Sequence, residues 1–320
     1  MESGPLVSLV TLNYNQAAVT CALLESVQRL SYPAIEVIVV DNNSIQNPEP
    51  LIRERRFPNT RVIVNPANLG FAGGNNVGIQ QAKGEYIVLL NNDTEVTPDL
   101  IERLLEPFAT DPSIGVTCPK IRYHQQPTVI QYAGYTPVNP YTGQARAVGS
   151  HQVDEGQFDQ PGLTHFAHGA ALMVKRSAIE QAGLLPELYF LYYEELDWCC
   201  RIHQAGFGIY YQPSALVYHK ESMTVGKSNP LKVYYQTRNR ILFMRRNVPP
   251  RSLLIFSLYY VALALPKALV RYTLKGQFAF LKAYLRGLGW NLTHNVDRAT
   301  LVKPAAIHTT TRLTLSGTSV

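Results

Sequence analysis

Three acidic residues lie close together in the segment 192–198, which reads Tyr-Tyr-Glu-Glu-Leu-Asp-Trp. If this segment is helical, Glu194 and Asp197 share a face because residues three apart are neighbours on a helix, and Glu195 points elsewhere. Apolar neighbours raise the pKa of a carboxyl group, which suits it to remove a proton from a hydroxyl group. The alternative is structural, since acidic residues also stabilise the positive end of a helix.

A fourth acidic residue, Asp93, follows an apolar run and two asparagines in the segment 89–96. A carboxylate at a strand end suits a hard divalent cation that also holds substrate phosphates. Alternatively, Asp93 is a structural turn residue that precedes a helix beginning at Pro98. His168 and His219 also stand near predicted strand ends, although a lone histidine is more often structural than a ligand.

The segment 68–76 is a glycine-rich turn that leads into a predicted helix. Backbone amides in such a turn can approach a phosphate or a sugar closely. The glycine spacing matches neither the dinucleotide-binding fingerprint nor the P-loop, so this segment alone does not identify a ligand.

Strand-like and helical patterns alternate along the first 109 residues, which indicates a mostly parallel sheet covered by helices on both faces. Polar clusters at 13–15, 41–44 and 91–93 directly follow three of the predicted strands. In open α/β sheets ligands bind at this edge, so we expect a binding site there. The predicted strands are 6–12, 35–40, 61–64 and 86–90, and the predicted helices are 17–30, 72–83 and one that begins at Pro98.

The second half of the chain begins with a segment, about 123–164, that is rich in Gly, Pro, Gln and Tyr. We expect a long connection with little regular structure, either a binding loop or a surface insertion. Ordered elements follow it. They are a strand at 167–174, a helix near Arg176–Ala182, an acidic helix near Glu194–Gln204 and a strand at Gly208–His219.

Composition divides the chain into two regions of opposite charge. Residues 227–320 contain 15 Lys and Arg and one acidic residue, whereas residues 1–226 contain 14 basic and 22 acidic residues. This asymmetry predicts a soluble domain followed by a segment that meets an anionic surface. The aliphatic and aromatic content of that segment favours a membrane, so we expect no nucleic-acid partner. The four cysteines have no paired or metal-ligand spacing and no targeting segment is evident, which predicts a cytoplasmic protein.

The basic region contains 15 consecutive uncharged residues, 252–266. A membrane-spanning helix needs about 20 apolar residues, and Pro266 interrupts the run, so a helix lying in the membrane interface is favoured. A helical hairpin packed on the catalytic domain and a single span over about 253–270 are the alternatives. The basic residues of the predicted interfacial face are Lys267, Arg271, Lys275, Lys282 and Arg286. We therefore expect a catalytic domain at 1–226, a membrane-associated helical extension at 227–297 and a disordered tail at 298–320.

Several motifs taken together resemble glycosyltransferase family 2, and its rhamnosyltransferase-like branch most of all. The motifs cover 7–15, 40–44, 68–76 and 90–93, and then 168–170, 194–197 and 217–219, with Arg238-Asn239-Arg240 in a following helix. The resemblance extends over roughly residues 6–247. It implies a GT-A fold, with an α/β architecture, and an inverting displacement at the sugar.

The resemblance also implies roles for individual residues. Asp93 matches the metal-binding aspartate of an Asp-x-Asp motif whose first position is Asn91 here, His219 matches a position that completes the metal site, and the metal is Mg²⁺ or Mn²⁺. The Glu194-Glu195 pair, with Asp197 nearby, matches the catalytic acidic residues, and Glu195 is preferred as the base. The acceptor-binding positions are His168, Gly169 and Trp198. The nucleotide-sugar-binding positions are Thr11, Asn13, Asn15, Asp41, Asn43, Asn68, Gly70, Gly73, Asn75 and Asn92.

The function that this resemblance implies is metal-assisted transfer of a sugar, rhamnose by similarity to the branch, from a nucleotide-diphosphate sugar. The acceptor is a hydroxyl of a cell-surface glycan or lipid-linked saccharide at the cytoplasmic membrane face. A nucleotidyltransferase is an alternative, but it would need a Gly-rich loop with Lys or Arg after the first strand. A non-catalytic, membrane-docked sugar- or nucleotide-binding protein is another, and it would not need acidic residues at Asp93, Glu194 and Glu195.

Overall fold

The computed structural model of the chain describes residues 4–220 and 229–296. Within them a 10-stranded sheet has the strand order β3-β2-β1-β4-β9-β6-β10-β5, with β7 paired to β6 and β8 paired to β10. The strands are β1 Val7–Asn13, β2 Ile35–Asp41, β3 Thr60–Val64, β4 Tyr86–Asn91, β5 Thr94–Val96, β6 Ile114–Tyr123, β7 Gln126–Tyr132, β8 Gly162–Leu163, β9 Ala171–Lys175 and β10 Gly208–His219.

The first four strands of this order are parallel, and helices cover both sides of the sheet. β1 and β2 are almost entirely buried, which explains why both read as continuous apolar runs rather than alternating ones. Their register pairs Asn13 with Asp41, and Leu12 with Asn91 of β4. The polar clusters predicted from sequence therefore meet at one edge. The predicted α/β class, with a mixed, mostly parallel sheet flanked by helices, is confirmed.

Residues 4–220 contain six α-helices and a short 3-10 helix, Glu187–Tyr189, and the last two α-helices have the predicted bounds. The segment 123–164 differs from the prediction, because β7 lies within it and pairs antiparallel with β6, burying Ile130 and Tyr132. Only three of the seven residues of β7 are buried, so the apolar pattern of this strand is too short to predict it from the sequence. The helices are α1 Ala17–Val27, α2 Glu49–Glu54, α3 Gly70–Gln81, α4 Leu100–Thr110, α5 Arg176–Ala182 and α6 Glu194–Gln204.

The C-terminal extension is helical, as predicted, but Pro266 does not interrupt it. α8 continues through a π-helical segment into α9 as one 25-residue helix, Pro250–Leu274. In the π segment the N–H of Leu265 donates to the carbonyl oxygen of Tyr260, which allows the helix to continue to Pro266, whose nitrogen cannot donate. The extension consists of α7 Pro230–Asn247, α8 Pro250–Tyr259, the π segment Tyr260–Ala264, α9 Leu265–Leu274 and α10 Phe278–Thr293.

Two parts of this extension differ in burial. α10 packs on α7, where Gly287 lies against the backbone of Tyr234 and Asn291 donates to the carbonyl oxygen of Arg238. The helix Pro250–Leu274 is long and apolar enough to cross a membrane by length and composition, and 17% of its most apolar window is buried within the protein. The expected domain boundary at 226/227 and the expected disordered tail at 298–320 lie outside the described residues.

A buried carboxylate joins α6 to the extension. The side chain of Asp197 accepts hydrogen bonds from Tyr189 Oη at 2.8 Å, Arg246 Nε at 2.9 Å and Asn247 Nδ2 at 2.9 Å, and it pairs with Arg201 at 3.3 Å. Burial opposes its ionisation, but these hydrogen bonds and charges outweigh burial and hold the pKa of Asp197 below its ordinary value. Asp197 is therefore a structural anchor between α6 and α7.

We expect Asp197→Asn to lower the free energy of unfolding by about 3–5 kcal/mol, because the substitution removes the buried negative charge that Arg201 and Arg246 contact. Urea unfolding followed by tryptophan fluorescence measures this change. The matched control is Asp99→Asn, which removes an exposed pair with Arg103 at 3.1 Å and should cost less than about 1 kcal/mol. Equal effects of the two substitutions would contradict the anchoring role of Asp197.

Candidate functional site

A cleft of about 1100 Å³ opens at the carboxyl edge of the parallel strands. The ends of β1, β4 and β10, the start of α6, and residues of α7, α9 and α10 line it. Seven of the sequence-predicted site residues beyond Glu194 and Glu195 line it. They are Asn68, Gly70, Asn92, Asp93, His168, Gly169 and His219.

Asp93 and His219 face each other in this cleft although they are 126 residues apart in the chain. Both side chains are buried, and Asp93 Oδ1 lies 3.1 Å from His219 Nε2. The antiparallel pairing of β5 with β10 brings them together, because it sets His219 opposite Thr94. Two ligand atoms at about 2.1 Å from one octahedral ion lie about 3.0 Å apart when they are adjacent. The observed spacing therefore suits a divalent cation.

Gln131 on β7 orients the imidazole of His219. Gln131 Oε1 lies 2.8 Å from His219 Nδ1, so Nδ1–H donates to the amide oxygen, and Nε2 is the ring nitrogen that lies next to Asp93. Metal-binding histidines are oriented in this way by a hydrogen bond to the second ring nitrogen. The residues at 4–220 and 229–296 contain no group of three or more His, Cys, Asp or Glu side chains arranged for a metal. A cation at Asp93 and His219 would take its remaining ligands from water and substrate oxygens.

The second acidic part of the cleft is the Glu194-Glu195 pair in the first turn of α6. Glu194 is 3% exposed, and its Oε2 has no hydrogen-bond partner among the described residues. Burial, together with the charge of Glu195, raises the pKa of Glu194 well above its ordinary value. Burial also raises the pKa of Glu195, to about 7, and the backbone N–H groups of Glu195 and Tyr193 partly oppose that rise. Glu195 therefore exchanges a proton near neutral pH, and the burial of Glu194 favours its protonated form.

The loop that leads into α6 has an unusual backbone conformation. Phe190, Tyr192 and Tyr193 have φ angles of 64°, 70° and 75°, in the left-handed region that non-glycine residues rarely adopt. Gly70 contacts this loop with a φ of 72°, and a Cβ atom there would lie 2.3 Å from the carbonyl oxygen of Phe190. The N–H of Phe71 donates to that same oxygen at 2.6 Å. The glycine-rich segment therefore packs the loop against the sheet edge.

Two side chains of α7 hold the carbonyl groups of this loop. Arg238 Nη2 donates to the carbonyl oxygens of Leu188 and Tyr189, at 2.8 and 2.6 Å. Asn239 Nδ2 lies within hydrogen-bond distance of the carbonyl oxygens of Tyr189, Leu191 and Tyr192. These contacts fix the start of α6, and they give a structural role to the Arg-Asn-Arg motif.

Some predicted nucleotide-binding residues form a layer behind the cleft. Asn13 Nδ2 donates to Asp41 Oδ1 at 2.7 Å, and both side chains are buried at the ends of β1 and β2. Thr11 lies deeper in β1, and its buried Oγ1 has no partner among the described residues. Asn15 and Asn43 are exposed turn residues with φ angles of 55° and 63°.

Other predicted residues point away from the cleft because their helices turn them toward the core. Gly73 is buried in α3, where a Cβ atom would clash with the Cβ atom of Leu69, and Asn75 donates to the carbonyl oxygen of Phe71. Trp198 is 1% exposed and donates from Nε1 to the carbonyl oxygen of Gly183. Asp197 and these three residues have packing contacts and do not line the cleft, and neither do Thr11, Asn13, Asn15, Asp41 and Asn43.

Sequence reasoning did not identify several residues that line the cleft. Asn42 donates to Asn68 Oδ1 and to the carbonyl oxygen of Gly70, which fixes the glycine-rich turn. Asn42 lies next to Asp41 in one of the polar clusters that follow predicted strands, so the sequence could have identified it as a site residue. Gln131 and Tyr135 lie in the segment that was predicted to be irregular, and no chemical pattern marks them. The further missed residues of the cleft wall are Arg240, Lys267 and Arg271.

Comparison with known proteins gives the class of this enzyme. The family model described as glycosyl transferase family 2 matches residues 8–183, more than half of the 320 residues. The chain belongs to this family and is a glycosyltransferase. The predicted family is therefore confirmed, and so is its rhamnosyltransferase-like branch, because one similar protein is the N-acetylglucosaminyl-diphospho-decaprenol L-rhamnosyltransferase of Mycobacterium tuberculosis. That protein is 27% identical over 248 residues, which cover 69% of this chain and 78% of the relative.

Other similar proteins agree with the fold and the class. The low-salt glycan biosynthesis hexosyltransferase Agl10 of Haloferax volcanii is 26% identical, over 65% of this chain and 66% of that protein. The mannosyltransferase PcManGT of Pyrobaculum calidifontis, solved with GDP-Man and Mn²⁺, superposes with a TM-score of 0.57 at 17% identity, covering 91% of this chain and 76% of that one. S. aureus TarS 1-349, solved with UDP-GlcNAc, gives 0.55 at 16% identity, covering 89% and 80%.

We expect Gln131→Leu to weaken Mn²⁺ binding by about 10- to 100-fold, because loss of its hydrogen bond leaves the His219 ring free to turn and to change tautomer. Electron paramagnetic resonance of free Mn²⁺ during titration measures the affinity. Gln126→Leu, an exposed position on the same strand, is the matched control and should bind as the wild type does. Unchanged Mn²⁺ affinity in Gln131→Leu, with the fold intact by circular dichroism, would contradict this role.

Proposed function

We propose that the enzyme transfers a sugar from a nucleotide-diphosphate donor to an acceptor hydroxyl with inversion at the anomeric carbon. The observation that carries this proposal is the position of Glu195. It lies in the same cleft as Asp93 and His219, and its pKa of about 7 suits it to remove a proton near neutral pH. A second observation is that burial and the charge of Glu195 raise the pKa of the neighbouring Glu194, which disfavours a second charge beside Glu195.

The chemistry follows from the two sides of the cleft. Glu195 takes the proton of the acceptor hydroxyl while the hydroxyl oxygen bonds to the anomeric carbon from the face opposite the nucleotide. The bond from that carbon to the diphosphate oxygen breaks, and the nucleoside diphosphate leaves. A divalent cation held by Asp93 and His219, either Mg²⁺ or Mn²⁺, would neutralise the negative charge that develops on this leaving group. Because one displacement inverts the carbon, no covalent sugar–enzyme intermediate is needed.

The glycine-rich turn and the ends of the parallel strands provide the donor side. Asn68, Gly70 and Asn92 line the cleft there, and the Asn13–Asp41 pair supports them from behind. Solved structures of similar fold contain GDP-Man or UDP-GlcNAc, which supports a nucleotide-sugar donor for this chain. Rhamnose is the proposed sugar because the similar M. tuberculosis protein is an L-rhamnosyltransferase.

The acceptor side adjoins α6, where His168 and Gly169 line the cleft close to Glu195. A Cβ atom at Gly169 would lie 3.9 Å from Glu195 Cδ, so glycine leaves space beside the carboxyl group. His168 stacks on Tyr135 with ring planes 2° apart, and burial lowers its pKa to about 3, so it is neutral. A neutral imidazole beside an aromatic ring suits an uncharged sugar. We propose a saccharide carried on a lipid, in agreement with the diphospho-decaprenol in the name of the M. tuberculosis relative.

A lipid-linked acceptor places the enzyme at a membrane, and the exposed helix Pro250–Leu274 supports this position. We propose that the helix lies in the inner face of the cell membrane with the catalytic domain in the cytoplasm. Its outward residues Leu254, Leu258 and Val261 are 62%, 63% and 65% exposed. Packing of α10 on α7 keeps this helix close to the catalytic domain. This favours a peripheral position of the helix over a helix that crosses the membrane.

We expect Glu195→Gln to lower the transfer rate by about 10²–10⁴-fold, because the amide cannot accept the hydroxyl proton. The wild-type rate should rise with pH through an apparent pKa of about 7, because the base works only when deprotonated. The assay follows nucleoside diphosphate release from dTDP-rhamnose, UDP-GlcNAc and GDP-mannose with a lipid-linked saccharide acceptor. The acid limb belongs to the coupled Glu194-Glu195 pair rather than to one residue.

Glu180→Gln, an exposed carboxylate of α5, is the matched control for this substitution and should retain the wild-type rate and pH profile. Glu194→Gln is informative too, since Glu195 as the base predicts a much smaller loss of rate from the amide at Glu194 than from the amide at Glu195. Wild-type turnover by Glu195→Gln, or a larger loss in Glu194→Gln, would reject Glu195 as the base.

We expect the double substitution Leu254→Gln and Leu258→Gln to lower binding to phosphatidylglycerol vesicles by at least about tenfold, because each buried leucine is worth about 1.5–3 kcal/mol. Vesicle flotation measures the bound fraction. Leu163→Gln, at an exposed leucine of β8 outside this helix, should float as the wild type does. Full flotation of the double variant would reject the helix as the membrane contact.

A further inference from the structure

One wall of the cleft is positively charged, and none of its cations has a carboxylate partner among the described residues. This cationic wall consists of Arg240 from α7 with Lys267 and Arg271 from α9. Arg240 donates to the carbonyl oxygen of Thr142, and Arg271 donates to Tyr272 Oη at 2.6 Å. Across 229–296 the sequence has eleven basic residues and no acidic one, so the neutralising charge must come from elsewhere. Such a surface suits an anionic ligand.

Aromatic rings hold the two guanidinium groups in place. The Arg240 guanidinium carbon lies 5.7 and 5.9 Å from the ring centroids of Tyr260 and Phe256, and that of Arg271 lies 4.5 Å from the centroid of Tyr272. These stacked positions restrict the rotamers of long, flexible side chains, which reduces the entropy that a ligand must overcome. Guanidinium groups fixed in this way are well suited to bind the oxygens of a phosphate.

The helix that contributes two of these cations also has the exposed apolar surface described above. Lys267 and Arg271 face the cleft, whereas Leu254, Leu258 and Val261 of the same helix are exposed. A ligand that contacts both surfaces needs an anionic group next to a hydrocarbon chain. A lipid diphosphate has these two parts in that order.

We propose that Arg240, Lys267 and Arg271 bind the diphosphate of a lipid-linked acceptor, with its hydrocarbon chain leaving along the apolar side of Pro250–Leu274. This proposal rests on the proposed function, since it assumes that the acceptor saccharide reaches Glu195. The diphosphate then sits in the same cleft as the donor, and the saccharide that it carries extends to the carboxyl group of Glu195.

The test uses farnesyl diphosphate as probe, in neutral detergent micelles with EDTA, so that neither anionic lipid nor a donor-site cation holds the diphosphate. Binding to the full chain is measured by calorimetry, with farnesol and inorganic diphosphate in parallel. We expect Lys267→Gln and Arg271→Gln each to weaken farnesyl diphosphate binding by about 10- to 100-fold, as expected for loss of a charge-assisted hydrogen bond. Arg251→Gln, an exposed position on the same helix outside the cleft, should bind as the wild type does.

Three results would overturn the proposal. They are wild-type affinity in both cleft variants, equal affinity of the wild type for farnesol, and equal affinity for inorganic diphosphate. A fourth is that the cleft variants lose flotation with phosphatidylglycerol vesicles while binding farnesyl diphosphate normally, which would assign the cations to membrane headgroups. Failure of the proposed function looks different, because the wild type would then bind farnesyl diphosphate and transfer no sugar from any donor.

Discussion

The position of Glu194 and Glu195 depends on a strained loop that α7 holds from behind. Three of its residues, Phe190, Tyr192 and Tyr193, have left-handed backbone angles, each of which costs roughly 1–3 kcal/mol and persists only when its surroundings impose it. Arg238 and Asn239 impose it by donating to the loop carbonyls. The loop ends at the first turn of α6, so the strain sets the direction in which both glutamates enter the cleft.

The C-terminal extension contacts the candidate site directly. α7 contributes the loop contacts, the Asp197 ion pair through Arg246, and the cleft residue Arg240. α9 contributes further wall residues to the same cavity. The domain boundary expected at 226/227 stays a prediction, and these contacts connect the described residues on its two sides. Any motion of the exposed helix relative to the sheet edge would change the shape of the cleft.

The sequence predicted what local patterns determine and missed what long-range packing determines. Apolar runs ending in polar clusters located the parallel strands and the Asp93 edge, and the bounds of α5 and α6 followed from periodicity and glycine positions. It could not show that Asp197 turns inward, because residues 194 and 197 share a face in any helix and only the packed Arg246 distinguishes their environments. Nor could it show that a π segment carries the helix past Pro266.

Acidic and basic side chains line the same cleft without pairing with each other. Glu194 and Glu195 form no salt bridge with Arg240, Lys267 or Arg271 in the described residues, although all five line one cavity. Had they paired, the carboxyl pKa values would fall, and Glu195 would be too weak a base at neutral pH. The cleft therefore contains carboxyl groups and cationic groups that do not neutralise one another. α7 contacts both sets, because Arg240 is one of the cations and Asn239 holds the loop that leads to the two glutamates.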